Sequence, residues 1–394
     1  MRDNDLSRKI ALILVASLTV MSSATIAASL PRMADVFRDT PDAEFLTKLV
    51  LTTPNLMIVV FGPIAGAIID RFGRVRFLYA NLVLYGFAGA SGYVLDDLYH
   101  ILASRALLGI AMAGTMTTVN TLAGDYWTGE HRARYAGIQS AAMSLGGVVF
   151  IGAGGLLADL EWRLPFLVYL AAWPILIPAV KYLDEPERHA HARGEGAVRE
   201  SLPVGTLAAV CALAFAAMVM FYMLPTQLPF LVRDIGIGSS ALAALAIVVA
   251  SVTLALGSLV FPAVKRHAGF VTVYVSSMLL VACGYALTAL FSSYAVVLVG
   301  AAIAGFGVGL LFPNATLWVL MLSPARLRGR LTGMLSASVN LGQFSSPVLV
   351  QPAVVAVGLA GAFGVFAGIA GFVALALLLA GRRLEKTPAP GAQA

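Results

Sequence analysis

The chain has 394 residues, 59% of them hydrophobic and only 12% charged, with a mean hydropathy of +0.88. A soluble domain carries roughly 25% charged residues, so this composition excludes an ordinary water-soluble enzyme. The net charge of +6 and pI near 9.4 admit nucleic acid as a partner only if the basic residues cluster on a soluble face, and they do not.

Arg8 and Lys9 precede an apolar run over 10–30 that ends in the small residues Ala27, Ala28 and Ser29, the outline of a secretory leader. The run is longer than a leader core and many more follow, so it reads as a first membrane span. A helix needs about 20 apolar residues to cross the hydrocarbon core. On that ruler the first six spans are 10–30, 46–69, 77–95, 98–122, 134–158 and 164–183. A polar stretch follows, and then spans at 204–232, 240–263, 271–291, 294–320, 330–352 and 358–380. Helices are expected throughout, because lipid offers no partner to an unpaired backbone group. The expected fold is therefore an all-α membrane protein of twelve transmembrane helices in two pseudo-symmetric six-helix bundles. The domains are 1–183, a cytoplasmic linker 184–203, and 204–394. Cys211 and Cys283 both lie within apolar segments and are expected as free thiols.

Charge placement orients the chain. With both termini on one side, 20 of the 26 Lys and Arg residues share that side. Five lie opposite (Arg32, Arg38, Lys48, Arg163 and Arg233), and Arg105 sits inside a span. Basic residues collect on the cytoplasmic face of membrane proteins, so a multi-pass protein of the inner (plasma) membrane with cytoplasmic termini is expected, and nucleic acid is not a partner.

The halves repeat at one offset of 196 residues: Arg134, Gly137 and Gly146 recur as Arg330, Gly333 and Gly342, Gly73 as Gly269, and Gly109 as Gly305. Six spans separate the matched positions, so the repeats run parallel, as in transporters whose halves are related by an axis along the membrane normal.

The segment after span 2 reads Gly66-Ala-Ile-Ile-Asp70-Arg71-Phe72-Gly73-Arg74-Val75-Arg76. It resembles the signature loop of the major facilitator superfamily, and the chain as a whole resembles the twelve-helix drug/proton antiporter-like exporters of that family. Gly66 is expected to admit a close helix and Gly73 a tight turn. The resemblance implies a conformational latch, in which the Asp70 carboxylate caps the N-terminal end of the eleventh helix and Arg74 reaches Asp125. In the second half Arg266 stands where Asp70 would, so one latch is expected. Span 4 carries Arg105-x-x-x-Gly109, similar to a family motif to which proton coupling or anion holding is attributed. Arg105 is either that coupling or anion-binding residue, with Asp35 its least implausible partner, or a structural arginine that satisfies carbonyls of span 1 or snorkels outward. Span 5 resembles the exporters' glycine-rich gating helix at Gly137, Gly146, Gly154 and Gly155, but Phe150 and Ile151 replace its Gly-Pro pair.

No carboxylate falls in the middle of a span, which argues against proton coupling even as the family resemblance implies it. Substrate contacts are expected from Asn55, Thr118, Gln139, Tyr222, Gln227, Asn340 and Gln343, with Pro225 and Pro229 breaking span 7. Interhelical packing is the competing explanation for each. The sequence contains no catalytic constellation, no metal-ligand spacing and no nucleotide motif, so the chain is read as a non-enzyme without cofactor or metal. The expected function is secondary active transport of small amphipathic organic molecules by alternating access, as a proton-coupled exporter acting as a monomer. The alternatives are a facilitator or symporter of a small organic anion with Arg105 as clamp, and a non-transporting sensor or scaffold.

Overall fold

The computed structural model describes residues 2–186, 202–324 and 327–381, leaving out the side chains of 2–4, 22–24, 70, 133 and 380. Among the described residues every regular element is helical. The long helices are α1 (Arg2–Ala24), α2 (Ala43–Phe72), α3 (Arg74–Ala90), α4 (Leu98–Tyr126) and α5 (Gly129–Leu160). They continue with α6 (Leu164–Tyr182, through a 3-10 turn at Val168–Ala171), α7 (Val204–Asp234) and α8 (Ser240–Lys265). The last three are α9 (Phe270–Leu290), α10 (Tyr294–Leu322) and α11 (Arg328–Ala380).

Nine helices among the described residues have the length and hydropathy to cross a membrane. The 53-residue α11 contains both expected spans 11 and 12, joined at Gly358, whose φ of 76° and ψ of 175° are not helical. α1 and the 17-residue α3 occupy the positions of expected spans 1 and 3. On α5, Leu145, Val149, Leu156 and Leu160 are exposed along one face. In water such a stripe would drive aggregation; against acyl chains it is the ordinary surface. The expected linker 184–203 falls largely outside the described residues.

The 196-residue offset reappears in the elements. Leu98–Tyr126 maps residue for residue onto Tyr294–Leu322, the bounds of α4 and α10. A side chain at Gly109 would meet the Pro54 carbonyl at 2.6 Å, and one at Gly305 the Ala250 carbonyl at 2.2 Å. Positions 54 and 250 are themselves 196 apart. The repeated glycines thus serve one purpose in both halves, bringing α4 against α2 and α10 against α8.

The chain divides into two compact units, Met1–Arg188 with Leu228–Val248, and His189–Gln227 with Val249–Ala394. The expected boundary in the linker is therefore incomplete. The segment Leu228–Val248, the end of α7 and the start of α8, belongs with the first bundle because it is hydrogen-bonded to it, as described next.

Candidate functional site

Within the first unit the two ends are finished differently. At the basic end, α4 stops at Tyr126 and Trp127 is extended (φ −132°, ψ 141°), which turns its indole back over the bundle. Its Nε1 donates to Asp5 Oδ1 at 2.7 Å, and its ring stacks on Tyr135 at 4.5 Å between centroids. Lys9 Nζ pairs with Asp5 at 2.6 Å and lies 5.5 Å from the Trp127 ring. The Lys9 bond, followed by that from Trp127, holds the Asp5 carboxyl below its ordinary value of 3.8. Arg8 pairs with Asp184, and Tyr126 donates to the Asp184 carbonyl.

The signature loop sits beside this network. Gly73 adopts a φ of 95°, the conformation its turn requires. α3 begins at the next residue, and Glu185 accepts from the Arg74 and Val75 amides at 2.7 and 2.8 Å, so a carboxylate 110 residues away caps that helix. Arg74 Nε lies 3.0 Å from Asp125 Oδ2, bringing together the expected pair. Arg71 lies against Phe72. The Asp70 side chain lies outside the described residues, so its part in a latch is an expectation carried forward. Gly66 is corrected: among the described residues nothing stands within 4 Å of a side chain placed there, so no described helix packs closely on it.

At the far end, Asp159 closes α5 and accepts from three donors on the docked segment: Ser239 Oγ at 2.8 Å and the amides of Ser240 and Ala241 at 2.5 and 3.2 Å. These amides are the first of α8, so the carboxylate meets the positive end of that helix. Arg32 fixes the arrangement by donating to the Ala158 and Asp159 carbonyls at 2.6 and 2.9 Å. Arg233 donates to Asp35 Oδ1 at 2.9 Å. Lys48, counted in the sequence on the outer side, is fully buried, pairs with Glu44 at 2.7 Å and lies 4.8 Å from the Phe230 ring. Asp159 carried no role in the sequence reading, because its partners lie 80 residues on and no local pattern joins them.

Arg105 is fully buried, with one terminal nitrogen bonded and the other, Nη1, without a hydrogen-bond partner among the described residues. One terminal nitrogen donates to the Ala88 and Gly89 carbonyls at 2.8 and 2.6 Å, and the guanidinium lies about 5 Å from the rings of Phe166 and Tyr169. These carbonyls are the orphans of the last turn of α3, where the helix dipole favours a cation. A buried arginine costs about 2.5–3.5 kcal/mol on insertion scales, and two bonds to a charged donor at about 1.5–3 kcal/mol each offset it. The expected pairing of Arg105 with Asp35 does not form, since Asp35 is taken by Arg233, and the carbonyls it satisfies belong to span 3.

The gating-helix glycines separate. A side chain at Gly154 would strike the Thr25 carbonyl at 2.0 Å, and one at Gly155 would strike Ala244 Cβ at 2.3 Å. Gly146 has only ordinary neighbours and Gly137 has none within 4 Å, so only the first two are required by close approach.

Of the substrate-cavity candidates, Thr118 is buried and turned onto its own helix, donating to the Gly114 carbonyl at 2.7 Å. Asn340 donates to the Ser336 carbonyl at 2.8 Å, and Gln343 reaches the Met218 sulfur at 3.9 Å. Tyr222 is buried beside Phe221, and Gln139 is half-buried. Asn55 and Gln227 differ: both are buried, and among the described residues Asn55 Nδ2 and both amide atoms of Gln227 have no hydrogen-bond partner. α7 runs unbroken through Pro225 and Pro229, so the expected break is corrected. Each proline still lacks the amide that a helix carbonyl four residues back would accept from. Among the described residues no cluster of His, Cys, Asp or Glu has metal-binding geometry.

The family model described as Major Facilitator Superfamily matches residues 12–268 and 210–394. The chain belongs to the major facilitator superfamily. Among solved structures, a bacterial homolog to the human lysosomal transporter Spinster superposes with a TM-score of 0.76 at 18% identity, covering 97% of this chain and 98% of that one. A D-xylose-proton symporter gives a TM-score of 0.75 at 15% identity, covering 94% and 97%. At these identities the likeness is one of fold. Multidrug resistance protein 1 of Bacillus subtilis is 35% identical over 136 residues, 33% of this chain and 34% of that protein. The bacillibactin exporter of Bacillus subtilis is 34% identical over 130 residues (31% and 32%), and the class C tetracycline resistance protein of Escherichia coli 30% over 169 (40% of each). The matched stretches span about a third of the length of these relatives. The chain is thus a multi-pass membrane protein of this superfamily.

Proposed function

We propose that this superfamily member is a secondary exporter in the plasma membrane, with cytoplasmic termini, moving small amphipathic organic molecules by alternating access and exchanging them for protons. The observation that supports it most is the family match joined to three relatives named for drug resistance or export. The geometry adds breakable contacts of the kind alternating access needs. Asp159 holds the docked segment by three hydrogen bonds, and Arg74 with Asp125 braces the basic end. Buried and with both amide atoms unpartnered among the described residues, Gln227 is the polar group best placed to read a cargo, because an unsatisfied buried amide gains most when a ligand pairs it. The alternative in which Arg105 clamps an organic anion is less well supported, since that guanidinium already serves two carbonyls and two rings.

Inside-out vesicles carrying the protein, given an imposed proton gradient, test the reading. Gradient-dependent accumulation of a fluorescent amphipathic dye, cationic or anionic, is expected, with loss on Gln227→Leu. Equal uptake with and without the gradient removes proton coupling, and no uptake of either dye removes the exporter.

A further inference from the structure

The Trp127 seal of the first unit has no counterpart in the second. At the 196-residue offset Trp127 becomes Ser323 and Tyr135 becomes Leu331, while Arg134 remains an arginine, Arg330. At Leu331, the position that Tyr135 holds in the first unit, a cavity of about 560 Å³ opens. Its walls come from α7 (Val204, Leu207, Cys211), the last turn of α10 (Val319) and the first turns of α11 (Leu331, Met334). Arg330 also lines it, is exposed, and pairs with no carboxylate among the described residues. In the first unit the equivalent space holds a ring that Asp5 and Lys9 both grip.

Small-molecule pockets run from about 300 to 1,000 Å³, mostly apolar with a few polar groups that set orientation. We propose that this cavity binds a free amphipathic monoanion from the aqueous phase at the basic end, its apolar body among the aliphatic walls and its charge on Arg330. The sign follows from the side chains: among the described residues the lining contains a cation and no carboxylate. The guanidinium fork suits a carboxylate, and the N-terminal turn of α11 adds a dipole of the same sense. The volume takes one drug-sized body, whereas a two-chain lipid would leave most of its length outside. The inference rests on the exporter reading for its role, since it would be an inner-side subsite that selects cargo by charge, but not for its occupancy.

Cys211 lines the cavity and supplies the probe. Cys283→Ser in the full-length chain, in phosphatidylcholine nanodiscs, leaves Cys211 as the sole thiol. Its reaction with N-ethylmaleimide is then followed as decanoate is added. The expected result is a saturable slowing of about fivefold or more by decanoate and none by decyltrimethylammonium. Arg330→Gln should lose the protection while keeping the unliganded labelling rate, which shows that the fold is intact, and Arg330→Lys should keep part of it. Ala208→Leu, which fills the cavity from α7, should slow labelling with or without decanoate. Equal protection by the cation would reduce the site to apolar packing and overturn the proposal. Full protection by phosphatidylglycerol in the disc, with no further effect of decanoate, would assign the cavity to lipid and also overturn it, as would no protection by either probe. Dye export that survives without decanoate protection removes only this inference; protection without export removes only the transport reading.

Discussion

The two units share one plan, and they differ in how its ends are closed. In the first, an indole fills the basic end, gripped by Asp5 and Lys9 and stacked on Tyr135, while Asp159 and Arg32 hold the far end. In the second, the equivalent basic end is a cavity with an exposed arginine, and Gln227 is buried without a partner. A repeat therefore dictates where helices lie and not whether the space between them is filled. Helix spacing depends on small residues at a few contacts, whereas filling depends on single bulky side chains that one substitution can add or remove. The finished unit is the better candidate for a rigid body, and the unfinished one for ligand recognition.

Five measurements break or sharpen this contrast, taken from the largest expected effect. Trp127→Ala should create in the first unit the space the second already has, lowering stability by about 3 kcal/mol, seen as a lower midpoint of thermal unfolding in detergent. An unchanged midpoint would show that the seal carries no stability. Arg105→Lys keeps the charge and loses the planar fork. A loss of about 2 kcal/mol with little change in dye specificity is expected, and a specificity change at unaltered stability would restore Arg105 as a cargo clamp. Asp159→Asn weakens the cap on α8 by about 1–2 kcal/mol, and in that background a Ser239→Cys thiol should react with a hydrophilic maleimide several times faster. Equal rates would mean that the cap does not hold the docked segment.

Gln227→Leu should act in the opposite sense, raising stability by up to about 1 kcal/mol because it removes buried unpaired polar atoms, while lowering transport. The smallest effect concerns pH. The Asp5 carboxyl is held below its ordinary 3.8, chiefly by Lys9 and then Trp127, with His131 adding to the same sense. A depressed folded value means a contribution to stability that is present above 3.8 and lost as pH falls through the folded value. Trp127 fluorescence, read against a Trp127→Phe background, should therefore shift below pH 3.8 and lose that shift in Asp5→Asn. A transition unchanged by the substitution would assign it to another group.

Much of the fold was legible beforehand. Apolar helices and the offset of 196 reappear in the helix bounds, because each follows from the demands of lipid on the chain itself: length, polarity and backbone satisfaction are local quantities. Arg74 beside Asp125 was also readable, since the family resemblance implies that the loop arginine reaches the acid at the end of span 4. The Asp159 cap, the Glu185 cap and the commitment of Arg105 to the end of α3 were not, and each joins groups distant in sequence or settles which of several carbonyls a long side chain finds. The pocket at Arg330 lay hidden for a related reason. Ser323 and Leu331 are unremarkable residues, and only against the packed rings of Trp127 and Tyr135 do they read as a vacancy. Sequence alone determined that this is a helical, internally repeated membrane chain, because hydropathy and residue spacing are read along the chain itself. Tertiary structure alone decided which charges are spent on helix ends and which space is left for a ligand, because hydrogen-bond satisfaction and packing belong to neighbours that the chain order does not name.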